Sequence, residues 1–271
     1  MDERISTMPD RHPRLFRLAD HTIFVVEEIG RIAKLLGGAL AALPSLPRSR
    51  RLVVDQMVRL GLESMPLVVV ISIFTGAVAA WQAAYQFQGW VPLRYLGEVI
   101  GKNVVVELGP VLTSLVVAGR ISAAMAAELG TMRVTEQIDA LEAMGISPSR
   151  YLVMPRFVSA TVMLPVAVIF ADALAIAGAF LVSNLLLDVS AHTYTMGLRR
   201  IFQVRDVVAG LEKAAVFGMF MALMGCHFGM RAEGGAQGVG RATTLAVVTS
   251  CVCVLILDYF LTTFLFPIAG V

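Results

Sequence analysis

Hydrophobic positions gather into five long runs separated by short charged connections, at about residues 65–84, 104–127, 157–187, 207–230 and 244–267. Each run reaches the ~20 apolar residues needed to cross about 30 Å of hydrocarbon. The first closes on Trp81 and Tyr85, whose rings suit a headgroup zone. The third is long enough to tilt or overshoot a bilayer. Five crossings put the two ends of the chain on opposite sides.

Residues 15–43 follow a different pattern. Leu18, Val25, Ile29, Ile32, Leu36 and Leu40 recur at helical spacing, while Arg17, Asp20, Glu27, Glu28, Arg31 and Lys34 occupy much of the other side. That predicts an amphipathic helix lying in the membrane interface, or packed on another protein. Pro44, Pro47 and the basic stretch Arg48, Arg50 and Arg51 end it, and Val53, Met57 and Leu60 mark a shorter lead-in helix. The organisation expected is a flexible segment over 1–14, interfacial helices over 15–63 and a transmembrane body over 64–271.

Composition narrows the class. The chain is 57% hydrophobic and 15% charged with mean hydropathy +0.77, too apolar to furnish a soluble domain's surface. A net charge of +2 gives no reason to expect nucleic acid. Sixteen Lys and Arg residues fall on the side of the N-terminus against five on the other, which predicts a cytoplasmic N-terminus. The polar start is unlike a cleaved signal peptide. Cys226, Cys251 and Cys253 lie in apolar segments as inert thiols, with no ligand spacing for a metal. No G-x-x-x-x-G-K-[ST] loop, H-E-x-x-H or G-x-S-x-G occurs. The chain is therefore expected not to be an enzyme, and any energy must come from another chain or from a gradient. Gly234–Gly240 predicts a cytoplasmic turn, not a phosphate loop, since its glycine spacing fits no nucleotide fingerprint.

Two features carry candidate chemistry. Residues 131–144 predict one short amphipathic helix, with Val134, Ile138 and Leu141 on one stripe and Glu136, Asp139 and Glu142 on another. Gly145 is placed to end it, and Ser147-Pro148 to start the next helix. Such a helix either receives a soluble partner, its apolar stripe in a groove and its acids on basic residues, or rests on the chain's own loops. The second feature is charge inside the runs: Glu107, Asp172, Lys213 and Asp258. Each costs about 2.5–3.5 kcal/mol at mid-bilayer unless paired or wetted. Lys213 is expected to pair with Asp258 or Asp172 and hold helices together. Glu107 precedes Gly109-Pro110, which frees backbone beside the helix, and is the stronger functional candidate.

Several ordered blocks resemble one family. They are Glu107-Leu-Gly-Pro-Val-Leu, Ala118-Gly-Arg-Ile-Ser-Ala, the stretch from Ala127-Glu-Leu-Gly through Gln137-Ile-Asp-Ala-Leu, residues 151–156, Gly234-Gly-Ala-Gln-Gly-Val-Gly-Arg-Ala-Thr-Thr, and Leu257-Asp-Tyr-Phe-Leu-Thr. Together they resemble the MlaE permeases over about residues 50–267. The resemblance implies an all-α membrane protein that moves phospholipid or related lipids as a homodimer in the inner membrane. It implies a cytoplasmic ABC ATPase dimer that binds the ATP, and a periplasmic MCE-domain protein. The 131–144 helix becomes the coupling helix, with Arg133, Glu136, Asp139 and Glu142 at the ATPase. The implied lipid pocket, near the dimer interface, falls on Glu107 and Leu108, with apolar walls at Val68, Ile71, Phe74 and Ala77. Many family members carry a basic residue just before the glutamate; here that position is Val106. Two other readings fit the spans: a non-transporting scaffold for a periplasmic lipid-binding complex, and a gradient-driven carrier relaying protons through Asp172, Lys213 and Asp258.

Overall fold

The computed structural model describes residues 13–87 and 90–267. The expected flexible segment 1–14 lies, except for its last two residues, outside the described residues, as do the side chains of Leu18 and Val25. No strand occurs among the described residues, and the architecture is all-α. The helices are α1 (Pro13–Ala42), α2 (Arg50–Gly61), α3 (Met65–Phe87), α4 (Leu96–Asn103), α5 (Gly109–Val134), α6 (Gln137–Ala143), α7 (Met154–Leu185), α8 (Ala191–Ile201), α9 (Val204–Gly229) and α10 (Gly235–Leu265).

Five helical segments are long and apolar enough to cross a membrane: Arg50–Phe87, Leu93–Val134, Ser149–Leu185, Val204–Gly229 and Gly235–Leu265. The crossings agree in number with the hydropathy runs; each starts earlier than its run, and the first two also end later. A tight turn at Leu62–Ser64 joins α2 to α3, and a π turn at Val104–Leu108 joins α4 to α5. Helix continues through polar residues there because the backbone bonds are local, whatever the side chain. The expected cytoplasmic turn at Gly234–Gly240 is a correction: the connection lies at 230–234, and α10 already starts at Gly235. Gly234 and Gly235, at φ 85° and 70°, supply the left-handed backbone that turns the chain.

Small residues set how close the helices come. On α3, Ser72, Gly76, Ala80 and Ala84 repeat every four residues and are all buried against α7. A methyl group at Gly76 would sit 1.8 Å from the Ala175 carbonyl oxygen, and one at Gly178 2.3 Å from that of Ile73. The two backbones thus touch, the arrangement by which small residues hold helices together in lipid. Helices α5, α9 and α10 pack together in the other half of the body. Helix α10 turns in only Ala242, Ala246, Ser250 and Val254. Its Ser250 Oγ meets Ser122 Oγ of α5 at 2.8 Å. Most of its large apolar side chains, among them Ile256, Phe260 and Phe264, face outward.

Helix α1 divides its apolar residues between two surroundings. Ile32, Leu35, Leu36 and Ala39 pack on Leu152, Val153 and Leu223 of this same chain. Val26, Ile29 and Leu40 face outward, where an interface would receive them. Glu28 fixes the helix by an ion pair to Arg231 and a contact of 2.9 Å to His227 Nε2. Burial works to raise the Glu28 carboxyl, but the hydrogen bond from Arg231 and the charges of His227, Arg231 and Arg31 outweigh it and hold it below the ordinary value. Helix α8 has no counterpart in the hydropathy runs. Ser190 caps it, its Oγ accepting from Thr193 N, and Tyr194 fills the space between α4 and α7, its hydroxyl donating to Ile176 O at 3.2 Å.

Candidate functional site

Lys213 of α9 is fully buried, and its Nζ donates to Glu107 Oε2 at 2.6 Å and Asp258 Oδ1 at 2.8 Å. One ammonium therefore faces two carboxylates drawn from three different spans. The backbone explains why Glu107 reaches it. In the π turn at Val104–Leu108, the Gly109 N–H reaches back to Val104 O. Pro110 has no N–H to give, so Val105 O receives nothing from either residue. That carbonyl lies against α9, where a methyl group on Gly210 would be 2.4 Å away. A π turn inserts one residue and rotates the following side chains relative to an uninterrupted α-helix. The Glu107 side chain remains 41% exposed and that of Asp258 14%, while Lys213 is sealed, so the cluster opens to its surroundings chiefly through the glutamate. No adjacent basic residue is needed: the cation opposite Glu107 comes from α9, which Val106 gave no means of foreseeing.

Of the two alternative partners expected for Lys213, the structure places Asp258 at its ammonium. Asp258 is a partner; Asp172 is not, and Glu107 takes the second place. Asp172 is buried in α7 and its Oδ1 makes no hydrogen bond. It lies against Gly109, where a methyl group would fall 1.6 Å from that oxygen. Asp172 makes no ion pair with Lys213, so Asp172, Lys213 and Asp258 do not form one chain of direct contacts.

The residues expected to wall a lipid pocket do not share one cavity. Ile71 and Leu108 line a cleft of about 220 Å³ between α3, α5 and α7, with Ser72, Thr75 and Thr113. Val68 is 2% exposed and belongs to the core with Leu60, Val117 and Leu164. Phe74 is 67% exposed and points out of the bundle, with Ala77 half-buried near it. Glu107 faces α9 and α10, on the Lys213 side.

The connection between the second and third spans also differs from one helix over 131–144. Helix α5 runs on to Val134, Glu136 adopts φ 58°, and α6 follows over Gln137–Ala143. The corner is braced by an ion pair between Arg133 and Asp139. Gly145, at φ 75°, ends α6 as expected: its N–H bonds Glu142 O, and that of Ile146 bonds Leu141 O. Ser147 O accepts the first bonds of the next helix, from Arg150 and Tyr151 N. Ile138 is 2% exposed and packs with Leu152, Leu223 and Cys226, and Leu141 joins it. The apolar stripe is therefore spent on the chain's own body, not held out for a partner groove. Glu136, Asp139 and Glu142 stay exposed on the outer side.

The family described as Permease MlaE matches residues 53–264. A probable ABC transporter permease protein of Rickettsia typhi is 36% identical over 248 residues, covering 92% of this chain and 96% of its own. One from Synechocystis is 38% identical over 222 residues, 82% of this chain and 84% of its own. The chloroplastic protein Trigalactosyldiacylglycerol 1 of Arabidopsis thaliana is 36% identical over 216 residues, 80% of this chain and 62% of that protein.

Proposed function

The chain belongs to the MlaE family of ABC transporter permeases, and from that premise we propose that it carries phospholipid or a related lipid between membranes. A separate cytoplasmic ATPase dimer drives it, entering at the α5–α6 corner. The observation that carries this reading is the corner itself. Its buried side, Ile138, is locked to the transmembrane body, while Glu136 and Glu142 stand free to meet basic residues of another subunit beside the exposed Arg133–Asp139 pair. A push on that face is transmitted to two spans at once, because α5 leads into the corner and α7 leaves it. The chloroplast relative takes its name from a glycosylated diacylglycerol, which favours a lipid cargo.

In this proposal the protein acts as a homodimer in the inner membrane with its N-terminus in the cytoplasm. A periplasmic MCE-domain protein takes the far side. ATP is held by the partner, since the sequence offers no phosphate loop. The outward apolar faces of α3 and α10 are available to lipid or to the second copy. Glu107 serves near the lipid path as its one polar element, held by Lys213.

The test is charge reversal at Glu136 and Glu142, which leaves the Arg133–Asp139 brace in place, in the complex reconstituted with its ATPase. ATP hydrolysis that depends on the permease, and lipid transfer with it, are expected to fall about tenfold or more, since two charged contacts of about 1.5–3 kcal/mol each are reversed. Unchanged thermal unfolding of the isolated variant would show that the fold survives. Undiminished permease-dependent hydrolysis overturns the coupling role. Lipid movement that needs a pH gradient and no nucleotide would favour a gradient-driven carrier instead.

A further inference from the structure

A second cavity lies far from the Lys213 cluster, between α2 and the latter half of α5. It is an open cleft of about 890 Å³. Arg59, Glu63, Arg120 and Glu128 line its polar part, and Leu60, Ile121 and Met125, all buried, line its apolar part. Three of these charges are committed. Arg120 donates to Ser64 Oγ at 2.7 Å and pairs with Glu63. Glu128 is held at 2.8 Å by Arg156 of α7, whose side chain is 4% exposed. Arg59 is held only loosely: its guanidinium pairs with Glu128 at 3.7 Å, beyond a hydrogen bond, and its side chain is 63% exposed. Counting Arg156, three guanidinium groups meet two carboxylates, leaving one positive charge in excess.

The depth of the cleft is fixed by the chain. Glu63 and Ser64 directly precede α3, whose 23 residues span about 35 Å and fill the hydrocarbon layer. Their partner Arg120 must therefore lie at the headgroup boundary, on the side that bears the excess of Lys and Arg. A site there combines one loosely held, exposed cation, two carboxylates held by other arginines and an apolar wall leading into the membrane. These match the phosphodiester, the polar headgroup and the first acyl carbons of a glycerophospholipid.

We propose that the α2–α5 cleft binds the headgroup of a phospholipid from the leaflet on that side, with its phosphate on Arg59 and its acyl chain leaving along Leu60, Ile121 and Met125. This rests on the lipid-transport reading and gives it a loading or delivery point separate from the Lys213 cluster. The Arg120–Glu63 and Arg156–Glu128 pairs shape the cleft, and Arg59 supplies the attraction.

The test uses the full-length protein in nanodiscs with a phosphatidylglycerol analogue photoactivatable near its glycerol, and a diacylglycerol analogue bearing the same group. The phospholipid is expected to label peptides around residues 56–63 and 120–128, and the diacylglycerol is not. Arg59→Gln, which leaves both ion pairs intact, is expected to lower that labelling about tenfold, and Arg59→Lys to restore part of it. Equal labelling by the two lipids, or by Arg59→Gln and the unaltered protein, overturns the proposal. So does complete displacement by millimolar inorganic phosphate, which would mark a site for a free anion. Lipid transfer by the unaltered complex, measured alongside, separates the two readings. Transfer without labelling retires the cleft alone, and labelling without transfer retires the transport reading.

Discussion

Replacing Lys213 by methionine tests whether the buried cluster is held by its one cation. At 2.6 and 2.8 Å, and with an effective dielectric of about 20, each contact carries about 6 kcal/mol of attraction. Desolvation of the ammonium offsets much of this, and the partly exposed Glu107 is screened further. The net effect then falls in the range of about 3–5 kcal/mol found when one partner of a buried pair is removed. Most of that cost is two carboxylates left facing each other without a counter-charge. At about 2–4 °C per kcal/mol, the unfolding midpoint of Lys213→Met is expected to fall by roughly 10 °C. Thermal unfolding in detergent or nanodiscs, followed by size-exclusion of the surviving protein, measures it. The triple variant Glu107→Gln, Lys213→Met, Asp258→Asn removes every charge and is expected to regain most of the loss. Lipid transfer by the triple variant then isolates function: a stable protein that no longer transports assigns the charges to transport itself. A Lys213→Met midpoint within a degree or so of the unaltered protein would refute the electrostatic reasoning.

Two further outcomes follow from contacts described above. Gly76→Ala places a methyl group 1.8 Å from the Ala175 carbonyl and is expected to destabilise by about 1–3 kcal/mol or more. Gly119→Ala meets nothing within 4 Å and is expected to stabilise by roughly 0.5–1 kcal/mol through helix propensity; equal midpoints for the two variants would contradict the close α3–α7 contact. The depressed Glu28 carboxyl contributes stability that is present above its ordinary value of 4.5 and lost as pH falls through its lowered folded value. Hydrogen exchange in α1 should therefore be faster in Glu28→Gln than in the unaltered protein near pH 7, with the difference vanishing well below that value. A gap that persists in acid would mean the clamp does not act through this charge.

The crossings were legible because about 20 apolar residues in a row have few other uses. The amphipathic character of α1 was legible from its spacing, and so was the stop at Gly145 from the chemistry of left-handed backbone. What escaped depended on partners distant in the sequence. Lys213 and Glu107 are 106 residues apart, and no local pattern says which of two acids an isolated lysine will choose. The π turn that aims Glu107 was signalled only by Gly109-Pro110, which marks irregular backbone without saying in which direction it turns. Helix α8 was hidden because its polar residues break up the hydropathy that marked the spans. The interruption at Glu136 was hidden because glutamate is ordinarily a good helix former. The Ser72, Gly76, Ala80 and Ala84 ladder was present in the letters, but a stripe of small residues becomes a seam only once α7 lies against it.

That seam has a thermal consequence. Lipid tails are as apolar as leucine, so helices meeting inside a bilayer gain little from expelling water and adhere through close fit. The attraction between α3 and α7 therefore lacks the large heat-capacity dependence of water-driven burial and should hold nearly undiminished on cooling. The contacts of α1 and α6 at the aqueous boundary include apolar surface withdrawn from water, and that contribution weakens in the cold. Chilling should loosen the periphery of this permease before it loosens the bundle.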